Sequence, residues 1–361
     1  MEELFVTRTS LPPFEEYCSL IRNLWENHMI TNMGQLHQRL QRELETFLDG
    51  PLTLYSNGHL SLEAVLEALE LPQGGEVITS PFTFVSTVHA IVRKGLVPVF
   101  CDVLEEDGTL DPDRAAELVT EKTVALLPVH VYGHPCRVER LEALAREYGL
   151  KLVYDAAHAF GVRYGGRPLV RYGDASILSF HATKVFSTIE GGAVCYADER
   201  LRQTLEDLTN FGIRDTEHCE RVGGNAKLNE FQAAMGLCNL RYFREQIAGR
   251  GSAFRLYREL LPPDVRLLEP REGTVPNYSY CPVVFESQDR RDRVYEAILA
   301  QGIHSRKYFY PLVSDFPPYR FVVGASTPIA RSLSARVLCL PLYADISSEE
   351  VERVCTALQQ A

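Results

Sequence analysis

Lys184 closes the run Ser179-Phe180-His181-Ala182-Thr183-Lys184, stands twenty-nine residues after Asp155, and is followed by Glu190-Gly191-Gly192. A lysine amine attacks a carbonyl carbon, an acid at a strand's carboxyl end can pair with a protonated ring nitrogen, and a glycine pair lets the backbone pass without a side-chain clash. Together the three point to Schiff-base chemistry on a bound pyridine aldehyde. Each alone is weak, because a single lysine is commonly a solvated charge and a single aspartate commonly a helix cap.

Other residues extend the pattern. The run Tyr55-Ser56-Asn57-Gly58-His59-Leu60-Ser61 reads as a strand end, a glycine and a helix start, where free N–H groups and the positive end of the helix dipole suit a phosphate. It reads equally as an ordinary turn with Asn57 as cap. In Lys151-Leu152-Val153-Tyr154-Asp155 an apolar strand delivers a carboxylate to the edge where open α/β sheets bind ligands. His158 either orients Asp155 or the cofactor, or is a satisfied core histidine. Ser179 is a phosphate donor or a plain turn hydroxyl, and His181 a substrate contact or a turn cap. His130 and His134 could seat a metal on a helix, but Gly133 and Pro135 argue for a loop and no acid or cysteine sits at ligand spacing, so no metal is expected.

These residues need a scaffold. Short β-rich runs over 76–79, 97–101, 123–127, 151–155, 175–179 and 193–196 alternate with helical patterns over 60–71, 87–94, 113–119 and 138–148. That is the pattern of an α/β fold, a mostly parallel sheet wrapped by helices. Residues 14–48 read as helical, and 231–247 and 252–261 as two helices, the second ended by Pro262-Pro263. Strands over 265–268 and 279–285 and helices over 290–301 and 347–358 make a smaller α+β layer. The expected division is a large domain over 1–245, including the amino-terminal helical segment, and a small domain over 246–361.

With 361 residues, 45% of them apolar, the chain can fill two lobes. Its net charge of −11 offers no basic stripe for nucleic acid or an anionic membrane. Nine cysteines without a Cys-x-x-Cys pair read as reduced thiols. The start Met1-Glu2-Glu3-Leu4-Phe5 lacks the features of a signal peptide, and no run is apolar enough to span a bilayer. A cytoplasmic protein is expected.

Several segments carry a resemblance: Ser56-Asn57-Gly58-His59, Pro81-Phe82-Thr83-Phe84, Tyr154-Asp155-Ala156-Ala157-His158, the Lys184 run, 225–234 and Leu340-Pro341-Leu342-Tyr343. In this order the chain, from about Trp25 onward, resembles the DegT/DnrJ/StrS family of sugar aminotransferases, which have the aspartate aminotransferase type of fold and use pyridoxal 5′-phosphate. The resemblance implies that Lys184 carries the covalent link to the cofactor, Asp155 contacts its pyridine nitrogen and Phe84 stacks on its ring. It further implies that Gly58, His59 and Ser179 hold the phosphate and that Asn225 reaches in from a second copy, so that the enzyme is a homodimer. Without it, Phe84 reads as core and Asn225 as a turn residue.

Within the family, the wording around Lys184 looks most like enzymes that aminate carbon 4 of a 4-keto-6-deoxy nucleotide sugar. The expected reaction moves an amino group from an amino acid, by resemblance glutamate, to a keto nucleotide sugar such as dTDP-4-keto-6-deoxyglucose. The phosphate segment departs from the commoner Ser-Gly-Thr-Ala form. Gly302 to Pro311 resembles the family's small-domain substrate loop, with Arg306 and Tyr308 as substrate candidates beside His181; for Arg306 a surface ion pair is the alternative. Three other readings are an aminotransferase acting on carbon 3, a sugar dehydratase and a cofactor-binding regulator without turnover. In the dehydratase branch a histidine replaces the lysine, and a regulator would be expected to carry a DNA-binding or partner module, which is not visible.

Overall fold

The computed structural model describes residues 3–320, 322 and 326–361. The chain opens with α1 (Phe14–Ile21), α2 (Leu24–Asn27) and α3 (Gln35–Phe47). The helical stretch expected over 14–48 is therefore broken, because His28, Asn32 and Met33 take left-handed backbone angles that no helix continues. Next come β1 (Leu52–Tyr55), α4 (Gly58–Ala68), β2 (Glu76–Thr79), α5 (Val85–Arg93), β3 (Val97–Phe100), α6 (Pro112–Glu117), β4 (Thr123–Leu127), α7 (Val138–Tyr148) and β5 (Lys151–Asp155). A short hairpin, β6 (Arg163–Tyr164) and β7 (Arg167–Pro168), leads to β8 (Ala175–Ser179), β9 (Gly192–Tyr196) and α8 (Leu201–Thr209).

Seven of these strands form one sheet in the order β1-β9-β8-β5-β4-β2-β3. The pairs from β8 across to β3 are parallel, and β9 runs antiparallel between β1 and β8. Side chains alternate between its faces with the period of a strand. Leu152 and Tyr154 of β5 join one core with α3 and α7, while Val153 joins a second core with α4 and α5. Because both faces are covered, the strands read as continuous apolar runs.

The second part of the chain starts with α9 (Glu230–Leu260), followed by β10 (Arg266–Leu267), β11 (Thr274–Val275), β12 (Cys281–Val284), α10 (Gln288–Leu299), α11 (Pro328–Arg336), β13 (Val337–Leu340) and α12 (Ser348–Gln360). Strands β10, β12 and β13 make a three-stranded antiparallel sheet. One face packs with α10, α12 and the end of α9, and includes Leu4 from the start of the chain. The other face meets Phe82, Val103 and Tyr132 of the larger lobe. This contact brings the segment after α10 over the carboxyl edge of the large sheet.

The two helices expected over 231–247 and 252–261 are one, α9, and the expected domain junction at 245/246 lies inside it. Gly249 and Gly251 are not breakers here. A Cβ on Gly249 would lie 2.0 Å from the Ala344 carbonyl oxygen and one on Gly251 2.8 Å from the Tyr278 ring, so both glycines allow close packing. Between them the buried Arg250 donates to the Leu342 carbonyl at 3.0 Å. Asn229 and Gln232 start the helix with a reciprocal capping box.

Candidate active site

The cavity between the carboxyl edge of the large sheet and the segment after α10 has a volume of about 720 Å³. Gly58, His59, Phe84, Asp155, His158, Ser179, His181, Lys184, Arg306 and Tyr308 all line it. Asn225 does not: it is exposed, in a bridge to Asn210 on the loop that follows α8. A second cavity, of about 860 Å³, lies between α3, α9 and the β6–β7 hairpin. It holds arginines and aromatic rings but no lysine or activated carboxylate, and so carries none of the chemistry discussed above.

Asp155 is the last residue of β5 and is buried. Its Oδ2 accepts from the Thr87 hydroxyl at 2.7 Å and its Oδ1 from the Ala157 N–H at 3.1 Å. Burial raises its pKa, while Thr87, Ala157 and the nearby Lys184 charge pull against that shift. Thr87 in turn meets Thr83 at 2.8 Å between hydroxyls. Thr87 was missed from sequence, although its i, i+4 spacing from Thr83 is the signal that the two share a side.

Lys184 sits on the turn after β8, its N–H bonded to the His181 carbonyl at 2.8 Å. Burial lowers its amine to about 8, opposed by the Asp155 charge and assisted by Arg306. That raises the neutral amine, the form that nucleophilic attack requires, far above the trace an ordinary lysine offers near physiological pH.

His158 Nδ1 accepts the Tyr132 N–H at 3.1 Å, which leaves the ring proton on Nε2. Burial, then the charges of Lys184 and His134, hold its pKa well below the usual histidine range, so the ring is neutral. His181 caps its own turn, its Nδ1 accepting from the Thr183 N–H at 3.2 Å, and its Nε2 lies 3.5 Å from Glu190. The Phe84 ring is 57% exposed although it lines a cavity, an apolar face without a cover.

At the other end, Asn57 caps α4 by accepting the Leu60 N–H at 2.9 Å. Gly58 lies so close to Ser179 that a Cβ would approach the serine Cβ to 2.9 Å. Gly192 presses on the Gly58 nitrogen in the same way, at 2.7 Å, which is the close backbone passage that the glycine pair led us to expect. The His59 side chain turns to Ser86 and Glu63. Arg306 bonds to the Tyr308 hydroxyl and lies over its ring, 5.4 Å from the centroid. The Tyr132 hydroxyl bonds the Tyr308 carbonyl and so ties this segment to the large lobe. His130 and His134 stand on a 3₁₀ turn and its flank, each bonded to backbone.

A mostly parallel sheet with a lysine of lowered pKa and a buried aspartate in one cavity suits an enzyme that forms a Schiff base through that lysine. The chain belongs to the DegT/DnrJ/EryC1/StrS aminotransferase family, whose profile matches residues 15–359. It is 38% identical over 364 residues to the dTDP-4-amino-4,6-dideoxy-D-glucose transaminase of Shigella dysenteriae, covering 99% of this chain and 98% of that one. The Escherichia coli protein of the same name is 39% identical over 362 residues, covering 98% and 97%. Among solved structures, DesI in the presence of its TDP-sugar product superposes with a TM-score of 0.94 at 34% identity, covering 100% of this chain and 93% of that one.

Proposed function

We propose that this aminotransferase carries pyridoxal 5′-phosphate and moves an amino group from glutamate to carbon 4 of dTDP-4-keto-6-deoxyglucose, giving a dTDP-4-amino-4,6-dideoxy sugar. The observation that carries the reading is the meeting of Lys184 and Asp155 in one cavity, in a chain similar over nearly its whole length to transaminases named for that product.

The residues present fit the cofactor. A buried carboxylate already held by Thr87 and Ala157 suits a protonated ring nitrogen, and the uncovered ring of Phe84 suits a flat aromatic partner. Gly58 and His59 offer backbone N–H groups at the start of α4, and Ser179 offers a hydroxyl beside them. Bound there, the cofactor supplies an aldehyde that takes up amines and a ring that draws electrons from a neighbouring C–H bond. Lys184 would hold its aldehyde and, as a free amine, would be the group to take a proton from the donor's α-carbon and to return one on the acceptor side. His158, neutral and fixed by Tyr132, lines the same cavity as Asp155 without adding a charge. Arg306 and Tyr308 form the rim that meets substrate.

Asn225 completes the phosphate site only in a homodimer. Exposed Phe211, Ile213 and Val222 on the same loop support this, being apolar surface of the kind that a second copy covers. Among the described residues no helix is long and apolar enough to cross a membrane, and all nine cysteines are unpaired, which supports a reducing compartment such as the cytoplasm.

The test incubates the yellow holoenzyme with glutamate and dTDP-4-keto-6-deoxyglucose and follows 2-oxoglutarate and the amino sugar. Amine at carbon 4 is expected. Amine at carbon 3, or bleaching by glutamate that no keto sugar reverses, overturns the assignment.

A further inference from the structure

The phosphate end of the cavity contains a chain of side chains that the expected roles leave unused. Ser86, the second residue of α5, lines the cavity together with His59 and Ser179. Its Oγ lies 2.9 Å from His59 Nδ1, and His59 Nε2 lies 3.1 Å from Glu63 Oε1. The largely buried Glu63 accepts from Arg93 through the same oxygen. The groups that face His59 are Glu63 on its own helix, Ser86, His89 and Arg93 on α5, and Lys184 and Asp155 across the cavity.

Proton placement follows from these contacts. The Glu63 carboxylate has no proton to give, and with its Oε1 3.1 Å from Nε2 it favours the ring hydrogen on that nitrogen. In the neutral ring Nδ1 is then an acceptor, and the Ser86 hydroxyl must donate to it. A serine held in that way presents only lone pairs to an incoming anion. Adding one proton at Nδ1 reverses the bond: Nδ1–H donates to Ser86 Oγ, and the serine hydrogen is freed to point into the cavity.

We propose that Ser86, His59 and Glu63 form a proton-linked anchor for the cofactor's phosphate, in which one proton taken from solvent by His59 releases the Ser86 hydrogen from the imidazole so that it can be donated to the phosphate. The inference rests on the cofactor reading above. It gives a reason for an imidazole at position 59: a ring between a hydroxyl and a carboxylate can change its charge with occupancy, as a neutral hydroxyl side chain cannot.

The test is calorimetry of the cofactor-free enzyme with 4-deoxypyridoxine 5′-phosphate, which has no aldehyde and so leaves Lys184 uncombined. Binding heats in buffers of different ionisation enthalpy give the protons exchanged. At about pH 8, where an ordinary imidazole is neutral, the wild type should take up about one proton per site more than Ser86→Ala or His59→Gln. Any change at the ring nitrogen is common to all three proteins and cancels. Equal proton uptake in all three, with binding retained, overturns the anchor alone. Failure of the wild type to bind the probe overturns the cofactor assignment and the anchor with it. Ser86→Ala removes one surface-accessible hydroxyl and keeps the comparison valid should His59→Gln disturb α4.

Discussion

Lys184 is expected to titrate as its surroundings dictate. With its amine lowered to about 8, its reaction with a small aldehyde and reductant should rise through a midpoint near that pH, against about 10.4 for a solvated lysine. Arg306→Gln should move the midpoint up, because a positive neighbour is lost, and Asp155→Asn should move it down, because a negative one is lost. Residue-resolved mass spectrometry across pH checks all three, and a midpoint unmoved by either substitution would show that burial alone sets the value. Lys184→Ala should lower turnover by about three orders of magnitude while the protein still folds, measured as 2-oxoglutarate release. Lys184 and Asp155 were legible in the sequence because each ends a strand or its following turn in a recognisable run. Thr87, Ser86 and Glu63 were not. Thr87 reaches Asp155 across 68 positions only because the fold brings the first turn of α5 to the carboxyl end of β5, and no local pattern encodes that meeting.

Helix α9 shows the same limit one level up. Glycines at 249 and 251 weaken a helix by about 1 kcal/mol each relative to alanine, and on that ground the sequence reads as two helices. What local propensity omits is the opposite wall. Gly249→Ala is therefore expected to destabilise the protein by about 1–3 kcal/mol despite its better propensity, as urea unfolding would show, because the new methyl meets the Ala344 carbonyl. A stabilised variant would mean that the wall yields. Strands β2, β4, β5 and β8 were readable for the converse reason: buried on both faces, they carry short runs rich in apolar and β-branched residues. Strand β13 and helices α8 and α11 were not read at all, since their apolar positions answer to the distant surfaces on which they pack.

For the whole molecule, the buried histidines set the response to acid. Burial lowers the pKa of His158, His134 and His130, the last to about 3, so the folded protein refuses protons that the unfolded chain binds below about pH 6.5. Stability from these groups is complete above that pH and declines as pH falls; His130 alone contributes a slope of about 1.4 kcal/mol per pH unit. Urea midpoints at about pH 8.5, 7.5 and 5.5 should be nearly level between the first two and lower at the third, and a level midpoint throughout would refute the linkage. A mechanical property belongs at this scale as well. The unbroken rod of α9 runs from the core beneath the large sheet to that of the small one, and the small sheet leans its inner face on Phe82 and Tyr132, so a swing of one sheet against the other would have to bend a continuous helix and part a packed contact. If two guests as unlike as an amino acid and a nucleotide sugar use this chamber in turn, as proposed above, both would enter past the pair Arg306 and Tyr308 without the walls having to part.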